Sequence, residues 1–167
     1  HGEAKLVDNE VHLISGGGNW FFLTKKKYKD FILEAEIKMP KVDEYSNSGI
    51  LFRAQIKGDK KGKQTAIGYQ AEVDPSNRKW SGGLYDQGRR AWLHPTKSNF
   101  KATPEFKKNL SAEWTAARGN AYKHLEWNKY RIECRGSEIK IFLNDILTTH
   151  VIDTKDAEGY IGIQHHG

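Results

Sequence analysis

Apolar and polar residues alternate along much of this chain, and this period-two pattern is typical of β-strands that bury one face. The longest alternating runs are residues 30–38, 48–56 and 67–74. Shorter runs of the same kind are residues 11–14, 20–24, 127–135, 139–143 and 159–164. The Gly-Gly-Gly-Asn sequence at 16–19 predicts a hairpin loop between the first two short runs, and Asn144-Asp145 predicts another turn.

One segment departs from this alternation. Phe106, Leu110, Trp114 and Ala117 recur at helical spacing, and Pro104 stands near the start of the segment. The pattern predicts one helix within residues 104–118, packed on the outside of the strands. We therefore expect a single all-β domain, residues 1–167, that forms a β-sandwich of the jelly-roll type with one inserted short helix.

Lysine and arginine outnumber aspartate and glutamate by 27 to 21, which gives a formal net charge of +6. Much of this charge comes from lysines 25–27, 29, 57, 60, 61 and 63. We interpret them as a solvated surface and expect no nucleic-acid partner, because no helix-turn-helix, zinc-finger or RNA-binding signature accompanies them. No apolar run is long enough to cross a membrane. Cys134, the single cysteine, lies on the apolar side of its run and is predicted to be a buried structural thiol.

The run 67–74 carries the first candidate chemistry. Its apolar side chains predict a buried face, so Gln70, Glu72 and Asp74 project together from the opposite face. Two carboxylates on one face suit the acid and base of a glycosidase. A solvated strand edge beside the turn at Pro75 is the alternative interpretation.

Arg53 and several aromatic residues could complete such a site. Arg53 lies on the polar side of its run and could reach the carboxylates, or it could form an ion pair with Glu34 or Glu36. Trp80, Tyr85 and Trp92 lie on glycine-rich segments and are candidate sugar contacts, because sugar rings pack their C–H faces on aromatic planes. Core packing is the alternative role for these aromatic residues.

Histidines add weaker candidates. His94, His165 and His166 are possible acid–base groups or metal ligands. Neighbouring residues of a strand point to opposite faces, so no more than one of His165 and His166 can join a given site. No histidine spacing here forms a strong metal motif.

Six ordered blocks of sequence resemble the 3-keto-disaccharide hydrolase domain family. The blocks are Asp30-Phe31, Asn47 to Arg53, Gly68 to Asp74, Trp80 to Arg90, Trp127 to Ile132, and Gly159 to His165. The resemblance implies a concanavalin-A-like jelly roll that acts on glycosides oxidised at C3. Family members are mostly bacterial and exported, so a periplasmic or secreted protein is expected, although no signal peptide opens the chain. Compared with family members, residues 1–167 are expected to lack an opening segment and the closing strand.

A ketone at C3 acidifies the proton on C2, so such a sugar is cleaved by a base, an acid and a group that faces the enolate. Glu72 is the expected base, Asp74 the supporting acid or ligand, and Arg53 the group facing the oxyanion. A divalent metal could act in place of Arg53 or beside it. Gln70, Trp80, Tyr85, Arg89 and His165 are the expected substrate contacts. The alternative function is a non-catalytic carbohydrate-binding module on the same fold.

Overall fold

Antiparallel strands make up most of the computed structural model, which describes residues 2–14, 17–41, 46–95, 104–110 and 113–166. The strands in chain order are β1 (Glu3–Val7), β2 (Glu10–Ile14), β3 (Trp20–Tyr28), β4 (Phe31–Ile37), β5 (Asn47–Gly58), β6 (Gln64–Val73), β7 (Leu84–Gln87), β8 (Ala91–His94), β9 (Asn128–Arg135), β10 (Glu138–Leu143), β11 (Ile146–Ile152) and β12 (Gly159–His166). The helices in this part of the chain are α1 (Pro104–Lys108) and α2 (Ala116–Gly119). Neither of them is long and apolar enough to cross a membrane.

Two sheets face each other and form the predicted β-sandwich. The larger sheet has six strands in the order β3-β12-β5-β6-β7-β8, and the smaller has four in the order β11-β10-β9-β4. Strands far apart in sequence are neighbours in both sheets, as in a jelly roll. The all-β jelly-roll fold class predicted from the alternation is confirmed.

The apolar side of each alternating run lies between the sheets. Tyr69, Ala71 and Val73 of β6 are buried there against Tyr130 and Ile132 of β9. Cys134 is also part of this core, and burial raises the pKa of its thiol to about 12. The thiol is therefore a buried structural group, as predicted.

The predicted hairpin between residues 11–14 and 20–24 is wrong. β2 pairs with β1 in a separate two-stranded sheet, while β3 pairs with β12 in the larger sheet. Asp8 and Asn9 both adopt positive φ, 48° and 65°, as the two central residues of a tight hairpin turn do. The turn that closes the hairpin is therefore this Asp-Asn pair, since the chain after β2 leads into a different sheet.

The single helix predicted within residues 104–118 is also wrong. The described residues form two short helices, and between them Leu110 makes an isolated β-bridge with Val151 of β11. Phe106 is buried in the core instead of packing outside it. The helical spacing of the apolar residues thus came from separate contacts: Phe106 packs in the core, Leu110 packs against the core beside β11, and Trp114 packs edge-on against His94.

Candidate functional site

A polar pocket of about 320 Å³ opens on the outer face of the six-stranded sheet. The residues that give it its chemistry are Gln70, Glu72, Arg78, Tyr85, Trp92 and His166. The alternation of β6 places Gln70 and Glu72 there, since the residues between them face the core. At the pocket, the six-stranded sheet therefore has an apolar inner face and a polar outer face.

Gln70 lies across the floor of the pocket and links two strands. Its Nε2 donates to Gln164 Oε1 on β12 at 2.9 Å and to Glu72 Oε2 at 3.1 Å. Gly49 makes this position possible, because a Cβ atom there would lie 2.3 Å from Gln70 Nε2. The side-chain oxygen Gln70 Oε1 is buried and accepts no hydrogen bond from the described residues. This oxygen can therefore accept a hydrogen bond from a ligand hydroxyl.

Glu72 is a buried carboxyl group, with 3% of its surface exposed. Its pKa is raised to about 8, because burial and the charge of Asp74 raise it by more than Arg78 and the hydrogen bond from Gln70 lower it. Asn47 Nδ2 also donates to Glu72 Oε1 at 3.2 Å. At neutral pH the group is mostly protonated but close to its titration point, which is the condition for a general acid or base.

Arg78 is the cation of this pocket. Its Nε and Nη2 both lie within hydrogen-bonding distance of Asp74 Oδ2, at 2.8 and 2.7 Å. The guanidinium carbon also lies 5.1 Å from the Trp80 ring and 5.5 Å from the Trp92 ring. Asp74 and the two tryptophans therefore fix the position of Arg78.

Asp74 is absent from the pocket lining, although it follows Glu72 on the same side of the strand. Besides Arg78, its carboxylate accepts the backbone N–H of Ser76 at 2.9 Å. The two carboxylates thus differ in surroundings, and Asp74 is a positioning group for Arg78. Sequence reasoning missed Arg78 because the residue follows a turn, where alternation gives no orientation.

Three aromatic residues form one wall of the site. Trp92 packs edge-on against Tyr85, with ring centroids 5.3 Å apart, and against Trp80 at 4.6 Å. Tyr85 and Trp92 line the pocket, while Trp80 lies behind Trp92. Burial raises the pKa of Tyr85, and the charge of Glu72 adds to this effect. The hydroxyl of Tyr85 therefore stays protonated at neutral pH.

The prediction that Arg53 shares a site with Glu72 is wrong. A β-bulge shifts the register between Phe52 and Gln55, and Arg53 adopts a positive φ of 47° there. The bulge breaks the alternation, so the buried guanidinium donates to the Lys29 carbonyl at 2.7 and 3.0 Å instead. The carboxylate that pairs with Arg53 is Asp30, at 3.2 Å, in place of the expected Glu34 or Glu36.

The structure also places Arg89 and His165 away from the pocket. Arg89 forms ion pairs with Asp86 and Asp156 beside the core. His165 stacks on Trp20 with ring centroids 5.5 Å apart, and its neighbour His166 lines the pocket. Successive side chains of β12 point to opposite faces of the sheet. Because Gln164 and His166 face the pocket on the outer side, His165 between them faces the inner side.

No group of three or more histidine, cysteine, aspartate or glutamate side chains that could hold a metal ion occurs among the described residues. Amide side chains supply the rest of the polar lining, from Asn19, Asn47, Gln87 and Gln164. The pocket therefore offers mainly amide groups, one carboxyl, one guanidinium and one imidazole to a ligand.

The solved structures to which this chain is similar include two that are named for carbohydrates. A carbohydrate-binding module, CBM66 from Bacillus subtilis, is 20% identical over 98% of this chain and 83% of its own, with a TM-score of 0.65. A "putative glycosyl hydrolase" from Parabacteroides distasonis ATCC 8503 is 17% identical over 87% and 75%, with a TM-score of 0.52. A Bacillus subtilis protein of unknown function with a galectin-like fold is 11% identical over 99% and 81%, with a TM-score of 0.53.

Comparison of the sequence with models of protein families identifies the family of this chain. No curated protein sequence matches this chain. The family model described as the 3-keto-alpha-glucoside-1,2-lyase-like domain matches residues 1–167, the whole chain. It is the family that the six sequence blocks indicated. The chain belongs to the family of 3-keto-alpha-glucoside-1,2-lyase-like domains.

Proposed function

We propose that this pocket binds a 3-keto-glycoside and cleaves its glycosidic bond, with Glu72 as the group that moves the proton. The observation that carries the proposal is the burial of the Glu72 carboxyl group in a pocket lined by a cation and polar amides, which raises its pKa to about 8. A carboxyl group kept near its titration point at neutral pH can accept a proton from carbon and return it. Family membership supports the choice of substrate class.

The proposed reaction is an elimination. The Glu72 carboxylate removes the proton from C2, and the electron pair of the C2–H bond forms an enolate with the ketone at C3. The enolate then re-forms the ketone, a double bond forms between C1 and C2, and the bond from C1 to the leaving oxygen breaks. The leaving oxygen takes a proton from an acid, and water can later add to the double bond.

Other residues of the pocket suit the remaining roles. The guanidinium of Arg78 is fixed by Asp74 and can face the developing enolate oxygen. The imidazole of His166 and the hydroxyl of Tyr85 both line the pocket and can protonate the leaving oxygen. Trp92 offers an aromatic plane to the C–H face of a sugar ring, and Gln70 Oε1 can accept from a sugar hydroxyl.

The variant Glu72→Gln tests this proposal, because it keeps the shape of the side chain and removes the base. With 4-nitrophenyl 3-keto-α-glucoside as substrate, we expect kcat/KM to fall on the order of a hundredfold or more while binding is largely kept. We also expect kcat/KM of the parent to rise with pH and level off above about 8, since the base acts when ionised. Parallel assays with a chelator test for a divalent metal. Equal cleavage rates in variant and parent would remove Glu72 from the mechanism.

The second candidate is a non-catalytic sugar-binding module. One observation favours it: Glu72 is the single carboxyl group in the described lining, so the two-carboxylate arrangement of glycosidases is not formed there. The similarity to a carbohydrate-binding module is consistent with this function. In that case the parent binds sugars without cleaving the 3-keto-glucoside, and Glu72→Gln changes affinity alone.

A further inference from the structure

We propose that a surface of lysines at one end of the six-stranded sheet binds an acidic polysaccharide. This lysine surface consists of Lys25, Lys26, Lys27, Lys29, Lys57, Lys60, Lys61 and Lys63. All eight side chains belong to exposed residues. The inference is independent of the catalytic proposal, because it concerns a different part of the sheet from the pocket.

The fold brings two separate lysine segments together. Lys27 pairs across the sheet with Tyr160, which in turn pairs with Ala54 of β5. β3 and β5 have β12 alone between them, so they lie about 10 Å apart. From Ala54, β5 continues past the level of Tyr28 into the hairpin that carries the second segment. The lysines within residues 25–29 and 57–63 therefore lie at the same end of the sheet and form one surface around its edge strand β3, whose successive side chains point to opposite faces.

The charge of this surface is not neutralised locally. Eight lysines exceed the formal net charge of the whole chain, +6, so the remainder of the molecule has a slight excess of acidic residues. Among the described residues, none of the eight lies within salt-bridge distance of a carboxylate; the lysines that do are Lys5, Lys129 and Lys140. Asp59, within the hairpin, accepts backbone N–H groups of Lys61 and Lys63 and so serves the turn.

Five of the seven arginines of the chain behave differently. Arg53, Arg78, Arg89, Arg90 and Arg131 all take part in ion pairs with carboxylates. These arginines are thus held by carboxylates, whereas none of the eight lysines has a carboxylate partner among the described residues, and Lys27 lies 5.4 Å from the centre of the Tyr160 ring. Lysine is a hydrated point charge on a flexible stem, which suits carboxylate or sulfate groups repeated along a polymer better than one precise phosphate site.

The polymer is expected to be a polysaccharide because the same sheet carries the sugar pocket and the chain belongs to a carbohydrate-related family. A long acidic chain held at the lysine surface would keep sugar units close to the protein. Such binding is electrostatic, since the Debye length falls from about 10 Å at 0.1 M salt to about 3 Å at 1 M. It must therefore weaken steeply as salt is added.

The experiment measures binding of the full chain to polygalacturonate, with neutral dextran as the uncharged probe. The test variant replaces Lys57, Lys60 and Lys63 by Gln. The control variant replaces Lys38, Lys41 and Lys123 by Gln, which are exposed and lie toward the opposite end of the sandwich, where Ile37 pairs with Asn128. Both variants lose the same charge, and thermal unfolding checks that both fold.

We expect the test variant to bind polygalacturonate about tenfold more weakly and the control variant to differ by less than about twofold. Equal losses in the two variants would show a general charge effect and overturn the proposal. So would binding of dextran as tight as that of polygalacturonate, or tighter binding to duplex DNA of the same charge concentration. The Glu72→Gln variant is expected to bind polygalacturonate like the parent, which separates this inference from the catalytic one.

Discussion

Two of the regions that bury charged side chains in this sandwich surround them in opposite ways. On the inner side of the six-stranded sheet, Asp86 is fully buried between Arg89 and Arg90. Arg90 also pairs with Asp153 at 2.7 Å, and Arg89 pairs with Asp156. We call these five residues the arginine–aspartate cluster. On the outer side, Glu72 is nearly as well buried, but its described hydrogen-bond donors are neutral amides.

The surroundings favour the charged form of Arg90 in the cluster and the neutral form of Glu72 in the pocket. In the cluster, hydrogen bonds and charges of Asp86 and Asp153 outweigh burial and raise the pKa of Arg90, so its charge is permanent. In the pocket, burial prevails and brings the pKa of Glu72 to about 8. A group that stays charged at all relevant pH values can stabilise structure but cannot exchange protons. The pocket is therefore the region suited to proton transfer, and the cluster is the region that stabilises the fold.

The largest expected effect comes from breaking the cluster. In Asp86→Ala, two arginines lose the carboxylate between them while part of their surroundings stays buried. We expect the free energy of unfolding to fall by about 3–5 kcal/mol, as for other buried pairs that lose one partner. Urea denaturation at neutral pH measures this change.

Arg131→Ala is the matched control for Asp86→Ala. Arg131 forms ion pairs with Glu34 and Glu133 at the surface, where its side chain is 39% exposed. Exposed pairs of this kind contribute little to stability, because water and salt screen them. If the two variants lose similar stability, the cluster is no more than a set of surface contacts and the comparison fails.

A smaller effect of opposite sign is expected in the pocket. The folded-state pKa of Glu72, about 8, lies above its ordinary value of 4.5, so the folded protein favours the protonated form. The stability linked to this group is complete below the ordinary pKa and is lost as pH rises toward 8. Glu72→Gln cannot ionise, so we expect it to exceed the parent by about 3 kcal/mol at pH 7 and to match it near pH 4.5.

Denaturation of parent and variant across this pH range measures the difference directly. Asp74→Asn is a useful comparison, because Asp74 is ion-paired with Arg78 and its loss should destabilise the protein at neutral pH. A constant difference between Glu72→Gln and the parent from pH 4.5 to 8 would mean that Glu72 ionises normally in the folded protein.

The strands and the pocket floor were accessible from sequence because alternation specifies which side of a strand each residue faces. It placed Gln70 and Glu72 together and the apolar side of β6 in the core. It failed at Arg53 because a bulge interrupts the alternation there, and no residue pattern indicates a bulge. The helix prediction failed for a related reason, since a helical spacing does not tell whether the contacts lie on one helix or on several short segments.

The rest of the site could not be predicted because it depends on strand order. Asn47 reaches the pocket from β5, and Gln164 and His166 reach it from β12. These two strands are neighbours in the folded sheet, and the residue pattern of a single strand does not show which strand lies beside it. Arg78 reaches it from a turn. The sequence contained one usable signal for Arg78, namely its position four residues after Asp74 and two before Trp80. Arg78 forms an ion pair with Asp74 and lies over the ring of Trp80.

The smallest expected effect tests how the pocket is held in shape. In Gly49→Ala, the new Cβ would lie 2.3–2.5 Å from atoms of the Gln70 side chain, which must move and lose its contacts to Gln164 and Glu72. The backbone of Gly49 is not in the left-handed region, so alanine fits the chain itself. We expect binding of 4-nitrophenyl 3-keto-α-glucoside to weaken about tenfold, roughly 1.4 kcal/mol, with stability changed by less. Calorimetric titration measures the affinity.

Gly58→Ala is the control, because nothing lies within 4 Å of its Cβ position and its backbone is also outside the left-handed region. Since the amide of Gln70 lowers the pKa of Glu72, its displacement should also move the rise of kcat/KM to higher pH. If Gly49→Ala binds the glucoside as tightly as Gly58→Ala does, the position of Gln70 is not part of the site.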